Sequence, residues 1–364
     1  MNKYFIILAA AALSISASCT KVVTNDAPAR KVTFAAANYV PQTKAGEVSF
    51  LSEFADPSTA YFKSKGFLHA EGVTDTTQDF FGASGETISW NATDKEWAPS
   101  HDYYWPKGES SYINFVSWYD KTGTPTEVTE TSLKWTNRTI GTGDNIMYAD
   151  EAWRFKDNDH HQYDKDGVTE GVPTLFRHAL AQLQIQARAS KLSNASNPNV
   201  TWAITLENVS ISNIYNTGSI ALTNADPNSA NQLVAWTGEW STTGTAGTQS
   251  ASNLPLTASN QDLYAIQTVL PQSVSALALN FKIRIVTTYN DSSPAVTNTE
   301  LITKSIPFYA ATGTALSNSV SSWAKNKKYI YTLIVEPSEN RVLFDPASEA
   351  NWETVNVNDP ALSI

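Results

Sequence analysis

From Ala179 onwards, apolar side chains occupy every second position, with Leu180 and then glutamines between them, and this alternation is the sequence feature that most constrains the fold. Alanine, leucine and glutamine favour helices, but a period of two puts the apolar side chains on one face only in an extended chain. We therefore predict a β-strand with one buried face. Its inward positions are Ala179, Ala181, Leu183, Ile185 and Ala187.

Other runs with strand character alternate with turn clusters, such as 82–85 and 121–123, along the whole chain. β-Branched and aromatic residues favour strands, whereas glycine-rich clusters favour turns. The spacing, together with 11 Trp, 15 Tyr and 14 Phe, predicts an all-β protein built from β-sandwiches. The further predicted strands are 61–69, 88–90, 112–118, 132–135, 202–209, 219–222, 263–270, 278–288, 301–306, 329–336 and 342–344.

The length and net charge of the chain further restrict its domain organisation and its class of function. The 364 residues exceed what one hydrophobic core usually serves, so we expect two domains, 45–171 and 172–364. The formal net charge of −10 argues against a nucleic-acid partner, because no basic stripe would neutralise phosphates. The sequence contains no nucleophile elbow, phosphate loop or HExxH motif. We therefore expect no enzyme, no catalytic residue, no cofactor and no metal.

The first eighteen residues have the pattern of a secretory signal segment. Lys3 precedes an apolar run at 4–13 that is too short to span a bilayer as a helix, and small residues follow up to Cys19. Cys19 is the only cysteine, so no intramolecular disulfide is expected. Its position is typical of a bacterial lipoprotein signal, in which the cysteine is acylated. The alternative is an ordinary signal with an incidental cysteine.

The stretch 31–45 has the pattern of a strand that could be detached. In an extended chain Val32, Phe34, Ala36 and Val40 share one side, while Thr33, Ala35, Ala37 and Tyr39 share the other. Both sides are mostly apolar or small, as expected for a strand that fills a groove between neighbours.

Lys44 and Ala45 follow this strand in a polar segment where a protease could cut. Cleavage there would expose the groove, and we expect the next molecule of an assembly to bind it. The alternative is an ordinary strand that never leaves its domain.

Three other clusters raise alternative functions. The aromatic run 103–105 could stack on sugar rings or pack at a sandwich edge, and we favour packing. The segment 157–167 resembles part of a calcium loop but lacks the required glutamate, so we predict a solvated interdomain loop. His178 could act as a base, but no nucleophile and acid accompany it in a recognisable pattern, so we favour a structural role.

A series of fragments occurs in a fixed order along nearly the whole chain. They are YYWP at 103–106 before FVSWY, DNIMYA at 144–149, LFRHALAQLQI at 175–185, ENVSISNIYNTGSIAL at 207–222, VLPQS at 269–273 and WAKNKKYIYTLIV at 323–335. Together with the lipoprotein-type signal and the basic residue before Ala45, these fragments resemble the fimbrillins of Bacteroidales, the FimA- and Mfa-like pilus subunits. Their combined order and spacing make the resemblance specific.

This resemblance implies a lipoprotein precursor with two transthyretin-like β-sandwich domains in tandem, preceded by a signal peptide at 1–18 and a propeptide at 19–44. It also implies that a trypsin-like surface protease removes the propeptide and its first strand, and the cut maps to Lys44–Ala45. Arg30 is a second possible site, but cleavage there would leave the strand attached. The removable strand comprises Val32, Phe34, Ala36, Tyr39 and Val40.

The resemblance also implies that a C-terminal strand of another subunit enters the vacated groove and builds the fibre. The donor maps to 341–357, within the C-terminal segment 341–364. Its contact residues are Val342, Leu343, Phe344, Trp352, Val355 and Val357.

Two functions remain open on this basis. The first is a structural subunit of a surface fimbria, in the shaft rather than at the tip, anchored in the outer membrane as a precursor and then extracellular. Its partners would be copies of itself, related fimbrial subunits, and a host or bacterial adhesion ligand. The second is a monomeric surface lipoprotein that binds glycans through exposed aromatic side chains. The candidates for that role are Trp97, Trp105, Trp236 and Trp240.

Overall fold

Nearly all regular structure in the computed structural model is β-strand. The structure describes residues 30–39, 47–73, 77–158, 170–224, 232–309, 320–339 and 341–352. Within these ranges the helical elements are two short 3₁₀-helices, Phe50–Glu53 and Pro57–Thr59. None of the helices in the described part has the length and apolar character to cross a membrane. The predicted all-β class is confirmed.

The strands up to residue 178 include the first predicted strand. They are β1 (Phe34–Tyr39), β2 (Glu47–Ser49), β3 (Tyr61–His69), β4 (Gln78–Asp79), β5 (Glu86–Asn91), β6 (Glu96–Pro99), β7 (Tyr112–Asp120), β8 (Glu127–Val128), β9 (Ser132–Thr139), β10 (Ile146–Ala149), β11 (Glu151–Phe155) and β12 (Val172–His178).

The later strands include the longest of the described part. They are β13 (Ala181–Ala189), β14 (Ser193–Asn194), β15 (Asn197–Ile214), β16 (Thr217–Thr223), β17 (Gln232–Val234), β18 (Trp240–Thr242), β19 (Gly247–Ser250), β20 (Leu254–Pro255), β21 (Gln261–Val269), β22 (Ala278–Tyr289), β23 (Val296–Pro307), β24 (Lys327–Glu336) and β25 (Arg341–Asn351).

The largest sheet closes on itself. Its order is β17-β11-β7-β10-β12-β1-β6-β5-β3-β4, with β2 also paired to β1, and β3 returns to pair with β7. The β3–β7 pairing extends from Lys63 opposite Trp118 to His69 opposite Tyr112. The strands from β7 through β1 to β3 therefore form a closed ring, of which β1 is one member. Buried aromatic side chains form much of its core, including Phe34, Phe50, Phe62, Phe115 and Phe176.

Two further sheets pack around a second core. One has the order β21-β13-β24-β25, and the other has the order β14-β15-β22-β23 with β19 and β20 paired to β15. Both contribute side chains to one apolar cluster, for example Leu183 from β13 and Ile283 from β22. This half of the molecule is a β-sandwich. A fourth sheet, β18-β16-β9-β8, pairs strands from the two halves of the chain.

The alternating run that predicts a strand corresponds to β13. Leu183 and Ile185 are fully buried, and Gln182 and Gln186, on either side of this pair, are half-buried. Gln184 is also buried, and its amide donates a hydrogen bond to Asp262 Oδ1 at 2.7 Å. Tertiary packing thus enforces the period of two over the local helix propensity of these residues.

Backbone hydrogen bonds cross the predicted boundary between residues 171 and 172. Strand β12 begins at Val172 and pairs with β1 and β10 in the ring. Strands β16 and β17 pair with β9 and β11. The halves therefore share sheets, and the division into two domains remains a prediction.

Candidate functional site

The candidate site is the position that β1 occupies, which we call the first-strand slot. Strand β1 pairs in parallel with β12, from Phe34 opposite Val172 to Asn38 opposite Phe176. Its other edge pairs with β2 along 37–39 and with β6 at Phe34. Every residue from Val32 to Asn38 is buried, so both faces of the strand are covered. Because β1 lies between β12 and β6, its removal would open the ring at that position.

Phe34 holds the strand to the aromatic core. Its side chain is fully buried. Its ring meets Phe62 and Phe115 edge to face, at centroid distances of 5.7 and 5.3 Å. Edge-to-face pairs add about 0.5–1.5 kcal/mol beyond the burial of apolar area. The Phe62 and Phe115 rings therefore line the slot, and they would be exposed without a side chain at position 34.

Gly171 lets β1 approach the chain that enters β12. Its φ angle is +147°, and a Cβ at this position would lie 2.5 Å from the carbonyl carbon of Phe34. Only glycine avoids that overlap. Glycine at position 171, just before β12, therefore allows the β1 backbone to pack closely against it.

The residues that precede β1 are hydrogen-bonded on both sides. Val32 N donates to Tyr103 O at 2.9 Å, and Trp105 N donates to Arg30 O at 3.1 Å. On the opposite side, the Asn158 amide donates to Lys31 O at 2.6 Å. The aromatic run 103–105 thus pairs with the start of the segment predicted as removable.

A polar cluster of two buried and two partly buried residues lies where β1 ends, and we call it the Glu53 cluster. Its members are Asn38, Glu53, Asn145 and His178. The amides of Asn38 and Asn145 each donate to the Glu53 carboxylate at 2.8 Å. His178 Nε2 lies 3.2 Å from Glu53 Oε1, and Asn145 Oδ1 lies 3.1 Å from His178 Nδ1. The cluster ties the first strand to β12 through charge as well as backbone hydrogen bonds.

The surroundings of Glu53 favour its charged form. Burial alone would raise the pKa of this carboxyl group, but the His178 charge and the Asn145 and Asn38 donors outweigh burial and lower the pKa. His178 is 2% exposed and lies among these partners.

The C-terminal segment contacts the same cluster. Strand β25 occupies an edge of its sheet and pairs with β24, with Val342 opposite Val335 and Phe344 opposite Leu333. The Trp352 ring, just after β25, stacks on His178 at a centroid distance of 4.1 Å and an interplanar angle of 20°. The segment predicted as removable and the segment predicted as donor therefore both reach the Glu53–His178 pair.

The proposed glycan-binding tryptophans are mostly inaccessible, which corrects that expectation. Trp97, Trp105 and Trp236 are 0%, 8% and 5% exposed. Trp240 is half-buried, and its ring N–H donates to Ala179 O at 2.6 Å. These side chains pack in the cores or at their margins, because tryptophan contributes more to stability when it is buried.

Several predicted site residues lie outside the described part of the chain. They are Cys19, Val40, Lys44, Ala45, Val355 and Val357. Most of the 157–167 segment also lies outside it. Among the described residues, no group of His, Cys, Asp and Glu side chains could hold a metal ion.

Sequence reasoning missed most of the Glu53 cluster. Its members come from β1, a 3₁₀-helix, β12 and the residue before β10, and no motif connects them. One usable signal was Asn38, a polar residue within an otherwise apolar strand, since a buried amide needs a hydrogen-bonding partner.

Comparison with known proteins identifies the family. The model of the fimbrillin-like family matches residues 67–352. No curated protein matches the chain. A solved fimbrial protein from Bacteroides vulgatus is 13% identical, with a TM-score of 0.50, and the match covers 89% of this chain and all of that one. The tip fimbrial protein Mfa3 from Porphyromonas gingivalis is 9% identical, with a TM-score of 0.32, over 89% of this chain and 100% of that one.

The structural matches concern the fold, whereas the family model concerns the sequence. The match to the family model extends from the end of β3 to Trp352, and this range includes most of the ring and the whole sandwich. This match covers well over half of the 364 residues. The chain therefore belongs to the fimbrillin-like family.

Proposed function

We propose that this protein is a structural, non-catalytic subunit of a surface fimbria and that it polymerises by strand exchange. In this proposal β1 is a temporary occupant of the first-strand slot. Proteolysis releases it, and a C-terminal strand of another subunit replaces it. The observation that carries the proposal is the position of β1, which is buried on both faces within a closed ring although it lies near the start of the chain.

The energetics of the slot support an exchange rather than a simple loss of the strand. Burying Val32 or Phe34 stabilises the protein by about 1.5–3 kcal/mol each. Each backbone hydrogen bond adds about 0.5–1.5 kcal/mol. The whole strand thus contributes more than roughly 10 kcal/mol before ordering costs are subtracted. A ring without its strand would expose aromatic surface, so a second strand binds there with a similar gain.

Processing is proposed at the bond between Lys44 and Ala45 by a trypsin-like protease. This bond follows β1, so its cleavage separates the strand from the rest of the chain. Cleavage after Arg30 leaves β1 attached to β2 and does not open the slot. Before cleavage, acylation of Cys19 would anchor the precursor in the outer membrane, and the processed subunit would become part of an extracellular fimbria.

The donor is proposed to come from 341–364, through Val342, Leu343, Phe344, Trp352, Val355 and Val357. Phe344 is buried in its own subunit and stacks on Tyr331 at a centroid distance of 5.4 Å. Donation of the whole segment therefore requires β25 to leave β24. Strand addition between subunits is a head-to-tail contact that continues from one molecule to the next. A subunit with both a slot and a donor fits the shaft, with copies of itself, related subunits and an adhesion ligand as partners.

The test is to cleave purified precursor with trypsin, map the new N-terminus and look for ladders that resist SDS. We expect a new N-terminus at Ala45, loss of 19–44 and ladder formation. A Lys44→Gln variant should keep β1 and stay monomeric, whereas Arg30→Gln should behave like the natural chain.

Two deletions locate the donor. Removal of 341–364 should abolish ladders with folding retained, and removal of 353–364 alone shows whether β25 itself must move. A clean cut at Lys44 that yields no ladder under any condition contradicts the proposal.

A further inference from the structure

The first strand and the C-terminal segment meet at one histidine. Trp352 directly follows β25, and its ring stacks on His178 at a centroid distance of 4.1 Å. Trp352 is 7% exposed. Because burial of a large aromatic side chain is favourable, this contact anchors the chain at the point where β25 ends.

His178 is held in turn from the side of β1. Its Nε2 atom lies 3.2 Å from Glu53 Oε1. The same oxygen accepts a hydrogen bond of 2.8 Å from the side-chain amide of Asn38, which is 1% exposed. Asn38 belongs to β1, whose backbone pairs with β12 up to Phe176, two residues before His178. An unbroken series of contacts therefore connects β1 with Trp352 through Glu53 and His178.

Departure of β1 would weaken this series of contacts in three ways. Glu53 would lose the Asn38 donor, and hydrogen bonds to charged groups are among the stronger ones. The empty slot would admit water to the Glu53–His178 pair, and attraction between charges falls as the dielectric constant rises. Strand β12 would also lose the neighbour that fixes its position just before His178. The His178 ring would then offer Trp352 a less rigid surface.

We propose that β1 in its slot keeps the C-terminal segment docked in its own subunit, and that removal of β1 loosens that segment. This inference rests on the proposed function, in which the first strand leaves and the C-terminal segment is donated. It adds an order to the two events, because an uncleaved chain holds its donor and a processed chain releases it. One cleavage would thus control both the slot and the donor.

Thermodynamic linkage makes this coupling reciprocal. If β1 strengthens the docking of Trp352, the docked Trp352 strengthens the docking of β1 by the same factor. Couplings between two sites typically change an equilibrium by about 5- to 150-fold. We therefore expect an effect of about fivefold or more in each direction.

Amide hydrogen exchange in uncleaved chain tests the first direction. The chain lacks 1–18 and carries Cys19→Ser, which prevents an intermolecular disulfide. We expect Asn38→Ala to speed exchange in β25 by about fivefold or more, because the amide that holds Glu53 is lost while β1 stays in its slot. Val32→Ala is the matched control. It shortens another buried side chain of the same segment, before β1 begins, and should leave exchange in β25 unchanged.

The Trp352→Ala variant tests the reverse direction in the same uncleaved chain. Exchange in β1 should become faster by a factor similar to the one that Asn38→Ala produces in β25. Exchange in β5, which contributes no residue to the Glu53 cluster, reports any general loss of stability and is the internal control. Once Asn38→Ala has broken the connection, adding Trp352→Ala should speed exchange in β1 by less than about twofold.

Three results would overturn the proposal. The first is an Asn38→Ala variant in which β25 exchanges like the natural sequence, and the second is an equal effect of Asn38→Ala and Val32→Ala on β25. The third is a Trp352→Ala variant in which β1 exchanges no faster relative to β5, and this result does not depend on the folding of the Asn38 variant.

These measurements involve neither cleavage nor polymerisation, so they separate the coupling from the proposed function. Ladders that resist SDS together with uncoupled segments would overturn the coupling alone. Coupled segments in a chain that never forms ladders would contradict the fimbrial proposal and leave the coupling as a property of the folded subunit.

Discussion

The substitution Phe34→Ala should release the first strand from a cleaved chain far more readily. Phe34 is fully buried, and its ring meets Phe62 and Phe115 edge to face. Replacing such a phenylalanine by alanine costs about 3–5 kcal/mol, which includes the cavity left behind. Because 1.4 kcal/mol corresponds to a factor of ten, the affinity of the strand for its slot should fall by about 100- to 4,000-fold.

The single cysteine makes this measurable. A dye attached to Cys19 labels only the segment that leaves. A recognition sequence for a site-specific protease replaces residues 41–46, so that cleavage separates the labelled strand without cutting at Arg30. Fluorescence anisotropy then follows release of the labelled strand into an excess of unlabelled peptide 19–40.

A matched control lies in the same segment. Lys31 forms an ion pair with Asp102 at 2.8 Å, and both side chains are more than half exposed. Solvent-exposed ion pairs contribute little, so Lys31→Ala should alter release far less than Phe34→Ala. If the Phe34→Ala strand leaves at a rate within fivefold of the natural one, aromatic burial does not hold β1 in its slot and the reasoning is refuted.

Three further substitutions test other parts of the site. Gly171→Ala should lower the thermal unfolding midpoint, because a Cβ would overlap the Phe34 backbone; an unchanged midpoint would show that the two chains can separate without cost. Glu53→Gln should destabilise the protein most at neutral pH, because folding lowers the pKa of the Glu53 carboxyl group. The charged carboxylate therefore stabilises the folded protein above its usual pKa of about 4.3, and this contribution is lost as the pH falls through the folded-state pKa. Urea unfolding from pH 7 down to pH 3 should show the two stability curves converging, and a constant gap contradicts this. Trp352→Ala removes the stacking on His178 and should increase amide hydrogen exchange in β25, whereas exchange in β5, which does not contribute to the Glu53 cluster, provides the internal control.

Local patterns in the sequence predicted the strands well. The predicted strand 61–69 coincides with β3, and most others lie within observed strands that extend a few residues further. These strands were predictable because turn residues and period-two alternation act over a few neighbours. Closure of the ring through β3 and β7 was not predictable, because the choice of partner strand depends on contacts between distant residues that no local pattern records.

The candidate site shows the same limit. The apolar pattern identified the strand that contains Phe34, since both of its faces lack charge. The Glu53 cluster as a whole could not be predicted, because its four polar residues are scattered along the sequence and meet only in the folded chain. The expectation that Trp97 is exposed was wrong, because a sequence gives an aromatic residue the same signature in a core and on a surface.

The parallel pairing of β1 with β12 also determines when the ring can close during folding. Phe34 is opposite Val172, so one edge of β1 has no partner until β12 has been synthesised, although β2 and β6 can pair with the other edge earlier. Pairings between such distant residues slow folding, because the intervening chain must first be brought into order. In the proposed exchange, a strand presented by another molecule to subunits that are already folded would escape this delay. Its arrival is then governed by subunit concentration rather than by chain length.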